Sequence, residues 1–322
     1  MAAARYSGKD LKISPRRYRR HSLANFSRMG HCAPSVMQTI LDVEETRTDW
    51  AVRLAAGLPG GIGNTGNECG GVTAPLVALG LRYALATGHD GLPVILDKGH
   101  DLGRRFAECN GTLLCRNIRR GARVPLRCVM VVRQSPVLYG ETVAGDCRAA
   151  VTGEKRKAYR QLSAHLAGQD FHCAQAVLWG LRDTIPVSQE RLDATSAFMG
   201  GTLFQGMTCG ALVAGIMALG IRQGVVEDSR MRVMRMIALM AIGGDAFADG
   251  VNEFNKVMNA GNRMADWFAG KFGSTQCNAI TNCDFSERAG VQRYVDSGGV
   301  VRCRSIAQDV VEKVRLVAAP AA

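Results

Sequence analysis

The cysteines of this chain recur in register. His31-Cys32-Ala33 opens an apolar run, and Gly60-Gly61 is followed by Cys69-Gly70. The same series returns about 140 residues later as His172-Cys173-Ala174, Gly200-Gly201 and Cys209-Gly210. GLPGGIGNTGNECGGVTAPLVALGL (57–81) lies without a gap on AFMGGTLFQGMTCGALVAGIMALGI (197–221), and RRFAECNGTLLCRNI (104–118) lies on DWFAGKFGSTQCNAI (266–280). Arg127-Cys128 matches Arg302-Cys303. An internal repeat is one supersecondary unit used twice. Each copy carries a quartet: Cys32, Cys69, Cys115 and Cys128, then Cys173, Cys209, Cys277 and Cys303. Cys109, Cys147 and Cys283 have no counterpart.

The repeat also sets the fold class. The apolar runs VMQTILDV, VTAPLVALGLRYAL and MRVMRMIALMAI have helical spacing, and few segments alternate apolar with polar residues. The expectation is an all-α protein of two tandem, internally repeated helical-bundle domains. At 322 residues each half is long enough to bury its own core. The expected boundaries are a basic flexible arm over 1–24, a first cysteine-motif domain over 25–150, a helical linker over 151–168, and a second domain over 169–322.

No apolar run reaches the roughly 18–20 residues of a membrane span. No secretory h-region follows the N-terminus, and the twin arginines Arg16-Arg17 and Arg19-Arg20 precede polar residues. A cytoplasmic location is expected. Eleven cysteines in a reducing compartment point to metal or redox chemistry rather than structural disulfides. The net charge is +12, and residues 1–30 hold eight Lys or Arg against Asp10 alone. Such an arm reads as a solvated tail or as an electrostatic docking element. Nucleic acid is disfavoured, because neither finger spacing nor an aromatic stacking platform is present.

Several quartet cysteines fall at expected helix starts. Pro34 suits the first turn after Cys32, Asp170 is a candidate cap upstream of Cys173, and Thr208 is a candidate N-cap before Cys209. A thiol at the positive end of a helix dipole is biased toward thiolate, the form that ligates metal or attacks a disulfide. An iron–sulfur centre is the leading use of four thiolates, although its type is not readable. Zinc on four cysteines and an exchangeable dithiol are the alternatives. His31 and His172 each precede a first cysteine and are candidates to donate to a cluster sulfur or accept a proton. The small-residue stripes Gly70, Ala74, Ala78 and Gly210, Ala214, Ala218 read as close helix packing.

The second copy is longer, with 67 residues between Cys209 and Cys277 against 45 between Cys69 and Cys115. Asp245, Asp249 and Glu253 would share a helical face there, read as a solvated acidic face. Met231, Met234, Met236, Met240, Met258 and Met264 read as core gap-fillers.

With these residues in place, both copies resemble the C_GCAxxG_C_C family of redox-active proteins, named for its cysteine spacing. The signature runs through CGALVAGIMALG (209–220) and, more loosely, CGGVTAPLVALG (69–80). The family's first cysteine corresponds to Cys173 and Cys32, and its last two to Cys277 and Cys303, and to Cys115 and Cys128. The family is similar to the non-haem part of split-Soret cytochromes c. That resemblance implies a helical bundle and an iron–sulfur centre held by the family's cysteines. The chain has no CxxCH, so covalent c-type haem is not implied. The first copy departs from the pattern at Gly71 and Pro75, which leaves open whether its site is occupied.

The expected function is electron transfer through iron–sulfur centres, with a redox partner protein and homo-oligomerisation left open. The alternatives are an iron–sulfur enzyme with an open substrate position, and an interaction subunit stapled by zinc. No catalytic residue is assigned.

Overall fold

A computed structural model of the chain describes residues 14–46, 48–83, 92–120, 124–145, 151–224, 229–241 and 255–318. Cys147, Asp245, Asp249, Glu253 and residues 1–13 lie outside the described residues.

The first copy runs α1 (Pro15–Met29), α2 (Cys32–Glu44), α3 (Asp49–Leu54), α4 (Gly70–Tyr83), α5 (Leu92–Asn110), α6 (Cys115–Ile118) and α7 (Val124–Ala144). The second runs α8 (Gly153–Gly168), α9 (Cys173–Gly180), α10 (Gln189–Asp193), α11 (Gly210–Gln223), α12 (Arg230–Ala241), α13 (Lys256–Phe272), α14 (Cys277–Thr281), α15 (Arg288–Asp296) and α16 (Gly299–Ala318). No strand occurs among the described residues. The fold is all-α, with the repeat expressed helix by helix. By sequence register α1 to α4 correspond to α8 to α11, α5 to α13, α6 to α14, and α7 to α16. Among the described residues, α12 and α15 have no counterpart.

The central helices α4 and α11 are apolar around their whole circumference. Gly70 to Gly80 and Gly210 to Ile221 are all buried. A helix of this kind is stable only inside a core. Pro75 sits within α4, yet α4 and α11 are the same length, 14 residues, so the proline does not end the helix. The two copies share one continuous hydrophobic core.

The contacts between copies are reciprocal. A Cβ on Gly80 of α4 would lie 2.3 Å from the Asp193 carbonyl, and one on its counterpart Gly220 would lie 2.3 Å from the Arg53 carbonyl. A Cβ on Gly63 would meet the Gly261 backbone at 2.7 Å, while one on Gly99 would meet Leu203, the counterpart of Gly63, at 2.7 Å. Exchange of equivalent contacts is the mark of a twofold relation. Glu68 and Thr208 are counterparts that touch each other. The Thr208 hydroxyl donates to Glu68 Oε2 at 2.5 Å, and the Thr208 N–H and Thr202 hydroxyl donate to Oε1 at 3.2 and 2.7 Å. This buried carboxylate therefore lies close to the pseudo-twofold axis, one residue before Cys69.

Part of the segment expected as a flexible arm is folded. Residues 15–24 belong to α1, which packs on α2 and α7. Tyr18, Ser22, Asn25 and Met29 face inward at helical spacing. Likewise α8, within the expected linker, is the counterpart of α1 and packs on α15.

Candidate functional site

Each quartet converges on one cavity. Cys32, Cys69, Cys115 and Cys128 line a cavity of about 60 Å³. Cys173, Cys209, Cys277 and Cys303 line one of about 30 Å³. Other than the sulfurs, the walls are mainly apolar: Val131, Ile118 and Met258 in the first, Leu162, Phe285 and Ile306 in the second. The first quartet, despite Gly71 and Pro75, converges on its cavity as the second does.

The equivalent cysteines occupy equivalent helix positions. Cys32, Cys115, Cys173 and Cys277 are the first residues of α2, α6, α9 and α14. Cys69 directly precedes α4, and Cys209 is the N-cap of α11. Cys128 and Cys303 lie in the second turn of α7 and α16. Short backbone bridges hold two cysteines of each quartet in place. Cys69 N–H donates to Leu113 O at 2.8 Å and Cys115 N–H to Asn67 O at 2.7 Å. In the second copy Cys209 N–H donates to Thr275 O at 2.9 Å and Cys277 N–H to Met207 O at 2.6 Å.

The loop before Cys69 explains the paired glycines. Residues 60–64 have φ values of 72, 85, 52, 67 and 59°, and residues 200–204 have 59, 71, 51, 57 and 62°. Each copy thus makes a complete left-handed turn. Such backbone costs roughly 1–2 kcal/mol for each residue bearing a Cβ. Ile62 and Thr202 are β-branched and least suited to it. The turn brings the Gly60 N–H to the Cys32 sulfur and the Gly200 N–H to the Cys173 sulfur. The glycine after the second cysteine has a separate reason. A Cβ at Gly70 would lie 2.5 Å from Cys32 Sγ, and one at Gly210 would lie 2.7 Å from Cys173 Sγ. Gly71, where the second copy has Ala211, is also required, since its Cβ would meet Val131 at 2.3 Å.

Burial dominates the electrostatics of the second cavity and of Cys128 in the first. It pushes Cys128 and Cys209 up to about 12 and raises Cys173, Cys277 and Cys303. Cys69 is raised by its hydrogen bonds to Cys115 and Cys32, with burial adding to them. Cys32 is lowered, first by the Cys69 thiol and then, against burial, by the Gly60 and Ala33 N–H groups. In the second quartet, thiols raised by burial are poor nucleophiles at neutral pH, whereas Cys32 of the first is shifted toward thiolate. A cation entering the cavity would compensate the charge of all four thiolates together and release their protons. Among the described residues, no three His, Cys, Asp or Glu side chains are drawn into a closed ion-binding group. The ten described cysteines are all free thiols.

Other expected site residues have different placements. His172 is the N-cap of α9: its Nδ1 accepts from Gln175 N–H at 3.3 Å, and Nε2 lies 3.1 Å from Ser196 O. His31 is the N-cap of α2 and lines the first cavity. His172, and not Asp170, therefore caps α9, while Thr208 is engaged with Glu68 and leaves Cys209 as the cap of α11. Met231 and Met234 are exposed rather than core, whereas Met236, Met258 and Met264 are buried.

Two contributors have no signal in the repeat. Tyr294 of α15 is buried in the second cavity and donates its hydroxyl to Cys303 Sγ at 3.4 Å. The first cavity instead has Arg119, which also donates to Asn64 at 3.1 Å, together with Met236 and Ile237 of α12. Both differences arise where the copies differ in length, so superposing the repeats cannot reveal them.

Fold and site define a tandem helical protein that gathers four buried or half-buried thiols in each copy, three at helix starts and one in a second turn. The family profile described as "Putative redox-active protein (C_GCAxxG_C_C)" matches residues 30–142 and 171–317. The chain belongs to this family. No significant match to a curated protein or to a solved structure was found. No described helix is long and apolar enough to cross a membrane.

Proposed function

We propose that each quartet holds an iron–sulfur centre and that the protein is an electron carrier with two centres. The observation that carries this reading is the convergence of four thiols on one apolar cavity, twice, in equivalent positions. A cavity needs only roughly 10–15 Å³ to admit a single water. Both cavities exceed that, so each quartet has room between its sulfurs for a bound group. Cys32, Cys69, Cys115 and Cys128 would hold the first centre, and Cys173, Cys209, Cys277 and Cys303 the second. Such a centre supplies reversible one-electron chemistry. The chain's part is to exclude water with its apolar walls and to direct N–H groups at Cys32 and Cys173. Iron and acid-labile sulfide are to be measured per chain after anaerobic purification. Both are expected at two-centre stoichiometry, with a brown colour bleached by dithionite. Zinc without sulfide would overturn the reading.

A further inference from the structure

The two helices that line one side of the first cavity also carry large apolar side chains exposed at the surface. To the cavity α7 supplies Cys128 and Val131, and α12 supplies Met236 and Ile237. Ile237 lines the cavity while remaining 44% exposed, so the cavity reaches the surface beside α12. On α7 the exposed face carries Leu126, Arg127, Met130 and Arg133. On α12 it carries Arg230, Met231, Met234 and Arg235. Met130 and Met231 are 67% and 82% exposed. Monomeric proteins seldom leave such side chains together without use.

The charged residues named on these two faces, Arg127, Arg133, Arg230 and Arg235, are all arginines. No Asp or Glu occurs in residues 109–140 or 229–241. The surroundings of the second cavity are mixed, with Asp284, Glu287 and Asp296 among Arg288, Arg293 and Arg302. Methionine and leucine give an adaptable apolar contact, and interspersed arginines give orientation. Aromatic rings, which a single-stranded nucleic acid would stack on, are absent from both exposed faces.

We propose that the α7–α12 surface is the docking site for an acidic electron-carrier protein that serves the first centre. One electron leaves the reduced carrier and enters that centre, and no bond is made or broken. The electron-transfer part rests on the function proposed above, whereas the docking surface stands on its own observations.

The test uses the full chain and an acidic [2Fe–2S] ferredoxin as the probe. Binding is expected to weaken steeply with added salt. Exposed arginines are reversed in an R127E/R235E variant, whose association rate should fall about tenfold. M130S/M234S should dissociate faster, and R160E on α8, the helix beside the second cavity, should behave as the parent. Circular dichroism and iron content of each variant separate a docking loss from a folding or cofactor loss. Binding that ignores both salt and the reversed arginines overturns the proposal. So does preferential arginine-dependent binding to anionic vesicles or to single-stranded DNA, or occupation of the surface by a second copy of the chain. Ferredoxin binding by a chain that takes up no iron would retain the docking surface and remove the function proposed for the centres.

Discussion

The two cavities have the same floor and different covers. In the second copy, 25 residues separate Cys277 from Cys303, enough to insert α15 and place Tyr294 on Cys303. In the first, only 12 separate Cys115 from Cys128, and no such helix is inserted. Its cover is borrowed: α12, which belongs to the second copy, brings Met236 and Ile237 over the first quartet. Duplication thus fixed where the sulfurs sit, while insertions decided what else touches them. One copy closes its own site, and the other depends on its neighbour.

The comparison is broken most severely by removing sulfurs. Serine at Cys173, Cys209, Cys277 or Cys303 should each abolish the second centre and lower iron per chain by about half, leaving the first intact. Serine at Cys32, Cys69, Cys115 or Cys128 should do the converse. Cys109→Ser and Cys283→Ser should change neither, because Cys109 is exposed and Cys283 lines neither cavity. Full iron retention in the four variants of one quartet would show that quartet is not a ligand set.

The next largest effect concerns α1 against α8. Tyr18 is 1% exposed and sits where a Cβ on Gly140 would approach its ring to 2.8 Å. Truncating a buried aromatic costs about 3–5 kcal/mol. Tyr18→Ala, and deletion of residues 1–24, should therefore lower Tm by several degrees in thermal unfolding. A deletion with the parent Tm would return residues 1–24 to the flexible arm expected from their composition.

That element shows where reading the sequence stops. The quartets, the helical class and the matching of α4 with α11 were legible because they rest on apolar periodicity and a gapless repeat. The inward face of α1 was not. Two of its four buried positions are the polar Ser22 and Asn25, and Asn25 faces inward because its amide donates to Thr39 Oγ1 and Asp42 Oδ2 at 3.2 and 2.8 Å. Polar residues satisfied by a neighbouring helix leave no hydrophobic stripe to find, and eight basic residues nearby suggested a tail instead. The left-handed turn at 200–204 was hidden for a related reason. Thr202, Leu203 and Phe204 are unlikely choices for positive φ, held there by burial in the shared core.

A smaller effect should come from pH, at the contact between copies. His100 of the first copy stacks on Tyr159 and lies 3.0 Å from Leu203 O of the second. Burial first, then the Lys155 charge, pulls its pKa down to about 4. The unfolded chain, with an ordinary histidine, binds more protons than the folded chain between about 6.5 and 4. The stability held above pH 6.5 is therefore lost as pH falls through that window, on the order of 2–3 kcal/mol. His100→Gln should flatten this part of the profile in denaturant titrations. An unchanged pH slope would place the sensitivity elsewhere.

The smallest effect sharpens the difference between the covers. Tyr294 donates to Cys303 at 3.4 Å, and α15 has no counterpart in the first copy. A hydrogen bond to a ligand sulfur stabilises the electron-rich state of a centre and so raises its potential. Its net worth is about 0.5–1.5 kcal/mol, and 1 kcal/mol corresponds to roughly 40 mV for one electron. Tyr294→Phe keeps the ring against Phe285 and removes only the donor. The second centre should then move some tens of millivolts lower in a redox titration, with the first as an internal reference. Iron content and Tm should barely change. If both centres shift together, the variant has disturbed the shared core. If neither shifts, the hydroxyl does not tune the second centre, and α15 acts there only by excluding water.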